Sequence, residues 1–203
     1  MATDVPCFKV ILCGEYGVGK SSIFRRFVDN SFTEDCGPRS TIGLDHMSKE
    51  FTVNGKRIKL ELWDTAGIER FATLSASYFQ SSSAAVLCYS RVDRESFSML
   101  SQHILDIIMH SKTAKIFLCG NKRDLHSDDE ITDADVGSFS EQCDTVLSGI
   151  FTISCKTGHG LTDMFHTIVG TLLIDAEQRF DPTRIRPHES PPDDSTQKHH
   201  CCS

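Results

Sequence analysis

Four short stretches combine residue types able to act on a phosphorylated ligand. The first is "GEYGVGKS", Gly14 to Ser21, which fits G-x-x-x-x-G-K-[ST] directly after the apolar run "FKVILC". A loop of this kind between a strand and a helix turns its backbone N–H groups inward. With the positive end of the following helix, they cradle phosphates. The candidate cradle is Tyr16, Gly17, Val18, Gly19, Lys20, Ser21 and Ser22. Lys20 would reach the β- and γ-phosphates and the Ser21 hydroxyl would ligate Mg²⁺. Glycine loops also close ordinary turns, but here the strand–loop–helix context agrees with the motif.

The second stretch is "DTAGIER", Asp64 to Arg70, after the apolar "IKLELW". Asp64 can hold Mg²⁺ through water, and the Gly67 N–H can face a γ-phosphate. The third is "NKRD", Asn121 to Asp124. A carboxylate accepts two hydrogen bonds from the N1–H and 2-amino group of guanine, an edge that adenine lacks. Asp124 would therefore select guanine, with the Lys122 stem along the base. The fourth, "SCK" (Ser154, Cys155, Lys156), supplies a second contact near the base. "STIG", Ser40 to Gly43, adds Thr41 as a second hydroxyl on the metal. Four polar residues after a strand are by themselves an ordinary turn, and a lone threonine is an ordinary loop residue. The order of the stretches and their places at strand ends give them meaning.

The elements that must position these loops alternate. Strand Phe8–Cys13 leads into a helix near Ser21–Asp29. "KEFTV" and "RIKLELW" flank Asn54-Gly55, a strong hairpin signal, so these two strands are antiparallel neighbours. Strand "AAVLCY", helix Arg94–His110, strand "KIFLCG", a helix near Asp133–Cys143, strand "IFTIS" and helix Leu161–Gln178 follow. Leu161, Met164, Phe165, Ile168, Leu172 and Leu173 form one apolar stripe on the last helix. The expected fold is α/β, a six-stranded, mostly parallel sheet with one antiparallel edge strand and about five helices. Ligands of such sheets sit at the carboxyl ends of the strands.

Composition bounds the function. A chain of 203 residues makes one domain, 1–179, and a tail, 180–203. The formal charge of −7 argues against a duplex-coating nucleic-acid binder, because phosphate backbones select basic faces. Nine cysteines are scattered without zinc spacing, and Cys13, Cys88 and Cys119 lie inside apolar runs as small hydrophobes of a reducing compartment. The start, "MATDVPCFKV", carries no signal segment and no run reaches membrane-spanning length. From Phe180 on, four prolines and few aliphatic residues predict a flexible tail.

The set "GEYGVGKS", "STIG", "WDTAG", "NKRD" and "SCK" resembles the Ras superfamily of small GTPases. "STIGLD", "KLELWDTAGIERF" and the paired terminal cysteines are similar to the Rab family in particular. The likeness covers about residues 7–178 and the last two cysteines. It implies a P-loop G domain that binds GTP or GDP with Mg²⁺, in which Thr41 and Gly67 hold the γ-phosphate and hydrolysis releases both loops. Lys20, Thr41 and Gly67 would carry the catalytic electrostatics. The resemblance also implies geranylgeranyl groups on Cys201 and Cys202, added with an escort protein and a geranylgeranyl transferase. It further implies a GDP dissociation inhibitor, an exchange factor, an activator and effectors for a monomer on the cytosolic face of an intracellular membrane. Two lipids anchor where one is marginal, and the tail's three basic and four acidic residues make no polybasic patch. "HHCC" as a metal site is the less favoured reading of that terminus.

Three departures from the family stand out. Ile68 occupies the place usually held by the glutamine that orients attacking water. Tyr16 replaces a usual Gly or Ser on the γ-phosphate side, where its ring either crowds the site or swings to solvent. His46 stands where many Rab proteins carry Phe, on the surface that meets effectors. The expected consequence is slow hydrolysis; the alternative is a module that stays GTP-loaded. Arg39, in "FTEDCGPRSTIG", is a candidate arginine finger in cis, or else a solvated residue or an effector contact, with Phe32 taken as the aromatic near the guanine edge.

Overall fold

The computed structural model describes residues 5–33, 45–64 and 76–179. Six strands form one sheet: β1 (Cys7–Cys13), β2 (Asp45–Val53), β3 (Lys56–Asp64), β4 (Ala84–Ser90), β5 (Lys115–Asn121) and β6 (Leu147–Thr152). Their order across the sheet is β2-β3-β1-β4-β5-β6. All neighbouring pairs are parallel except β2–β3, so the antiparallel strand lies at the edge, as expected. Asn54 (φ 51°) and Gly55 (φ 75°) both take the left-handed conformation that a two-residue hairpin turn requires.

The helices are α1 (Lys20–Asp29), α2 (Ala76–Phe79), α3 (Arg94–Ser98), α4 (Leu100–His110), α5 (Asp133–Gln142) and α6 (Leu161–Arg179). They divide between the faces of the sheet. Val10, Leu12, Val86 and Cys88 pack with Ile23 and Phe27 of α1 and the α6 stripe from Leu161 to Leu173. Ile11, Cys13, Leu87 and Tyr89 point the other way, onto α2, α4 and α5. Covering both faces explains why β4 reads as an unbroken buried run with no polar alternation.

Several elements differ from the sequence reading: β2 starts at Asp45, four residues before "KEFTV", and the short α2 adds to the expected helices. The helix expected over 94–110 breaks at Met99. The Ser96 and Ser98 hydroxyls donate to the carbonyls of Asp93 (2.8 Å) and Glu95 (2.7 Å), competing with the helical ladder. The Met99 carbonyl then receives the N–H groups of both Gln102 and His103, so α4 starts with a tightened turn. Strand β6 begins three residues earlier than "IFTIS" because Leu147 already pairs with Ile116, across a register shift. It also ends earlier: Ile153 and Ser154 belong to the loop that carries "SCK".

Ile168 is fully buried on α6 while Met109 on α4 is 71% exposed. Ile168→Ala should lower unfolding free energy by about 2–5 kcal/mol in urea titration, whereas Met109→Ala should change it by about 0.5 kcal/mol or less.

Candidate functional site

The glycine loop leaves β1 and enters α1 through backbone that only glycine tolerates. Gly14 has φ +128°, and a Cβ there would stand 2.1 Å from the Cys88 carbonyl oxygen on the adjacent strand. Gly19 has φ +104°, and its Cβ would meet the Asn121 amide nitrogen at 2.3 Å. The loop therefore lies flat against the ends of β4 and β5. Lys20 opens α1 and is only 3% exposed; its ammonium donates to the carbonyls of Gly14 (2.8 Å) and Glu15 (2.7 Å). The cation is thus held inside the curl of the loop. Tyr16 stands on the same curl with 38% of its surface exposed.

The residues expected to read a base come from the next strand ends. Asn121 closes β5 and is 2% exposed. Its side-chain amide donates to the Val18 carbonyl at 2.9 Å, and its oxygen accepts from the Cys155 N–H at 3.1 Å. One side chain therefore joins the phosphate loop to the "SCK" loop. Lys122 takes a left-handed φ of 67°, a bend that turns the chain into a 3-10 segment, Arg123–Asp128, carrying Asp124. The Ser154 hydroxyl donates to the Asp124 carboxylate at 2.5 Å and accepts from the Thr157 N–H at 3.1 Å. Ser154 thus aims the carboxylate. Burial pushes the Cys155 thiol up to about 12, so it is a packed thiol and no nucleophile. Cys13 is raised by burial, and Cys119 by its hydrogen bond with Cys88 and by burial.

Asp64 ends β3 and is buried; the Ser21 hydroxyl sits in the first turn of α1. Both offer hard oxygen, the donor type Mg²⁺ takes, and Mg²⁺ usually completes its shell from phosphates and water. Among the described residues no group of three or more His, Cys, Asp or Glu could hold a metal alone. Buried lysine, inward-curling glycine backbone and hard oxygens fit a nucleoside polyphosphate with Mg²⁺.

The structure brings Tyr16, Gly17, Val18, Gly19, Lys20, Ser21 and Ser22 to one end of the sheet with Asp64, Asn121, Lys122, Asp124, Ser154, Cys155 and Lys156. Thr41, Gly67, Ile68, Arg39 and the tail with Cys201 and Cys202 lie outside the described residues. His46 is exposed on β2 and stacks on Trp63, ring centroids 4.6 Å apart. Two contacts escape motif reading. Glu15 of the glycine loop pairs with His103 of α4 at 2.9 Å, and Arg26 of α1 reaches the "SCK" loop. No spacing in the sequence announces the first; the second is foreshadowed only by a basic residue in the last turn of a helix.

Comparison with known proteins gives a consistent outcome. The model of the Ras family matches residues 9–174. The chain is similar to Ras-related protein Rab-4A of Homo sapiens, 33% identical over 180 residues that cover 88% of this chain and 80% of the relative. It is similar to Ras-related protein Rab-4B of Rattus norvegicus at 33% over 181 residues, covering 88% and 82%. Rab-4A of Danio rerio matches at 32% over 180 residues, covering 88% and 82%.

Removing the joint between the loops tests the geometry. Asn121→Ala strands the Val18 carbonyl and the Cys155 N–H and should cost about 2–4 kcal/mol of stability by urea unfolding. Guanine-nucleotide affinity by fluorescence titration should fall with it.

Proposed function

As the chain belongs to the Rab family of Ras-superfamily GTPases, we propose that it is a GTP/GDP switch whose own hydrolysis is slow and which acts in membrane traffic. Membership implies binding of GTP or GDP and Mg²⁺. The observation that carries the reading is the Asn121 side chain, which sets a phosphate-type loop and a base-type loop at a fixed separation. Loop N–H groups from Tyr16 to Ser22 and the Lys20 ammonium bind the phosphates, and Asp124, aimed by Ser154, accepts the guanine N1–H and 2-amino hydrogens. Ser21, Thr41 and Asp64 are the residues that would hold Mg²⁺, which supplies charge neutralisation at the transferred phosphoryl group.

Thr41 and Gly67 sense the γ-phosphate and so make the switch. Ile68 has neither donor nor acceptor, so nothing at that position orients the attacking water. Phosphoryl transfer depends on positioning and electrostatics, so the loss falls on rate. A partner that brings both an arginine and a glutamine would restore it.

The G domain takes residues 1–179 and the tail 180–203, with geranylgeranyl groups on Cys201 and Cys202 fixing the protein to the cytosolic face of an intracellular membrane. Among the described residues no helix is long and apolar enough to cross a membrane. With no polybasic patch, lipid carries the anchoring. A GDP dissociation inhibitor, an escort protein with its transferase, an exchange factor, an activator and effectors are the partners of this reading.

Single-turnover hydrolysis of GTP by the purified chain checks the rate. Ile68→Gln should speed it about 10- to 100-fold, a barrier change of about 1.4–2.7 kcal/mol. A wild-type rate equal to that of glutamine-bearing Rab proteins would refute slow hydrolysis.

A further inference from the structure

Arg26 sits in the last turn of α1, six residues after Lys20, and spends all three guanidinium nitrogens on main-chain carbonyls or beside them. Nε donates to Cys155 O at 2.6 Å, Nη2 to Lys156 O at 2.6 Å and Nη1 to Asn30 O at 2.6 Å, with Asn30 Oδ1 at 3.4 Å from Nη1. Its guanidinium carbon lies 5.9 Å from the Phe32 ring centroid. The group is half-buried in the wall of a cavity of 260 Å³ formed with Phe27, Asn30, Gly158, Leu161 and Phe165.

We propose that Arg26 is a positioning residue for guanine recognition, an inference that rests on the nucleotide site proposed above. Residue 155 is bracketed: Asn121 takes its N–H from the sheet side and Arg26 takes its carbonyl from the helix side. The two bonds hold the successive peptide groups on either side of the Cys155 Cα, beside the loop's own bonds from the Ser154 N–H to His159 O and from the Gly158 N–H to Ser154 O. Together they hold Ser154, and through it the Asp124 carboxylate that reads the base. The same helix carries the phosphate loop at its first residue and Arg26 about 9 Å further along its axis, at 1.5 Å per residue. Helix α1 thus sets the spacing between phosphate grip and base grip, and Arg26 is its attachment to the base side. The Asn30 bond and the approach to Phe32 tie the chain leaving α1 to the same point.

A planar fork matches carbonyls in this arrangement and an ammonium does not, so lysine is an incomplete substitute. The amide of glutamine reaches at most one of the three carbonyls. Loss of the clamp should act on the contacts to the base and leave the phosphate and metal end alone.

The test uses the full chain with Mg²⁺, loaded with fluorescently labelled GDP or inosine diphosphate, which lacks the 2-amino group. Arg26→Gln should release GDP about 10-fold faster and inosine diphosphate much less so, shrinking the preference for guanine. Arg26→Lys should show the same trend at about 3-fold, and it carries the test alone if the glutamine variant does not fold. The acceleration caused by chelating Mg²⁺ should be the same in wild type and variants. A lower melting temperature with an unchanged ratio of GDP to inosine diphosphate release would reduce Arg26 to a structural residue and overturn the inference. Wild type that binds GDP with variants that release it normally overturns this inference alone. Wild type that fails to bind GDP overturns the nucleotide site and this inference with it.

Discussion

The ligand-facing end of the sheet depends on one buried carboxamide. Asn121 sits at the tip of β5 with its donor spent on Val18 and its acceptor on Cys155, so three loops from three strands meet at a single side chain. A carboxamide is the group for this position because it presents one donor and one acceptor within the same plane. Aspartate would turn an acceptor against the Val18 carbonyl, and leucine would leave two buried main-chain groups unpaired. The close approach of Gly19 follows from the same fact: the amide nitrogen occupies the place a Cβ would need.

The main chain of Asn121 extends that constraint away from the site. Its carbonyl accepts the Arg91 N–H at 3.0 Å, and Arg91 in turn binds Asp129 and Asp133 with its guanidinium. The N–H groups of Glu130 and Ile131 return to the Arg91 carbonyl. Hydrogen bonds to Asp129 hold the Arg91 guanidinium well above its ordinary value despite its burial. A buried arginine is costly without partners and becomes an organising residue with them. Here it fastens the loop after Asp124 and the start of α5, so the segment that carries Asp124 is gripped from both ends.

Much of this was legible because the motifs coincide with strand ends. "GEYGVGKS" and "NKRD" could be placed from the apolar runs before them, and β4 and the α6 stripe from their periodicity. The hairpin was legible because Asn54-Gly55 matches a backbone that few other dipeptides adopt. The break at Met99 was not, because it arises from serine hydroxyls competing locally with a helix whose apolar spacing continues across the interruption. The early start of β6 was hidden too, since Leu147 is assigned by its partner Ile116 and not by its own neighbours. The contacts of His103, and nearly all that Arg26 does, were hidden for a related reason. Their meaning comes from residues far off in sequence, 129 and 88 positions for the bonds to Cys155 and Glu15.

In the proposed switch, holding the nucleotide and cleaving it rest on different residues. Lys20, Asn121, Asp124 and Ser154 are held by bonds among the strand-end loops. Contacts that bind ground state and transition state alike lower dissociation without raising turnover. A side chain that aims water matters only once the phosphoryl group is in flight. On the proposed reading, an aliphatic side chain in its place would leave affinity and guanine selection intact and lengthen the time spent in the triphosphate form. If the chain's own hydrolysis is slow, as proposed, the lifetime of the signal passes to whatever protein supplies the missing polar groups, which makes the off-step a property of an encounter.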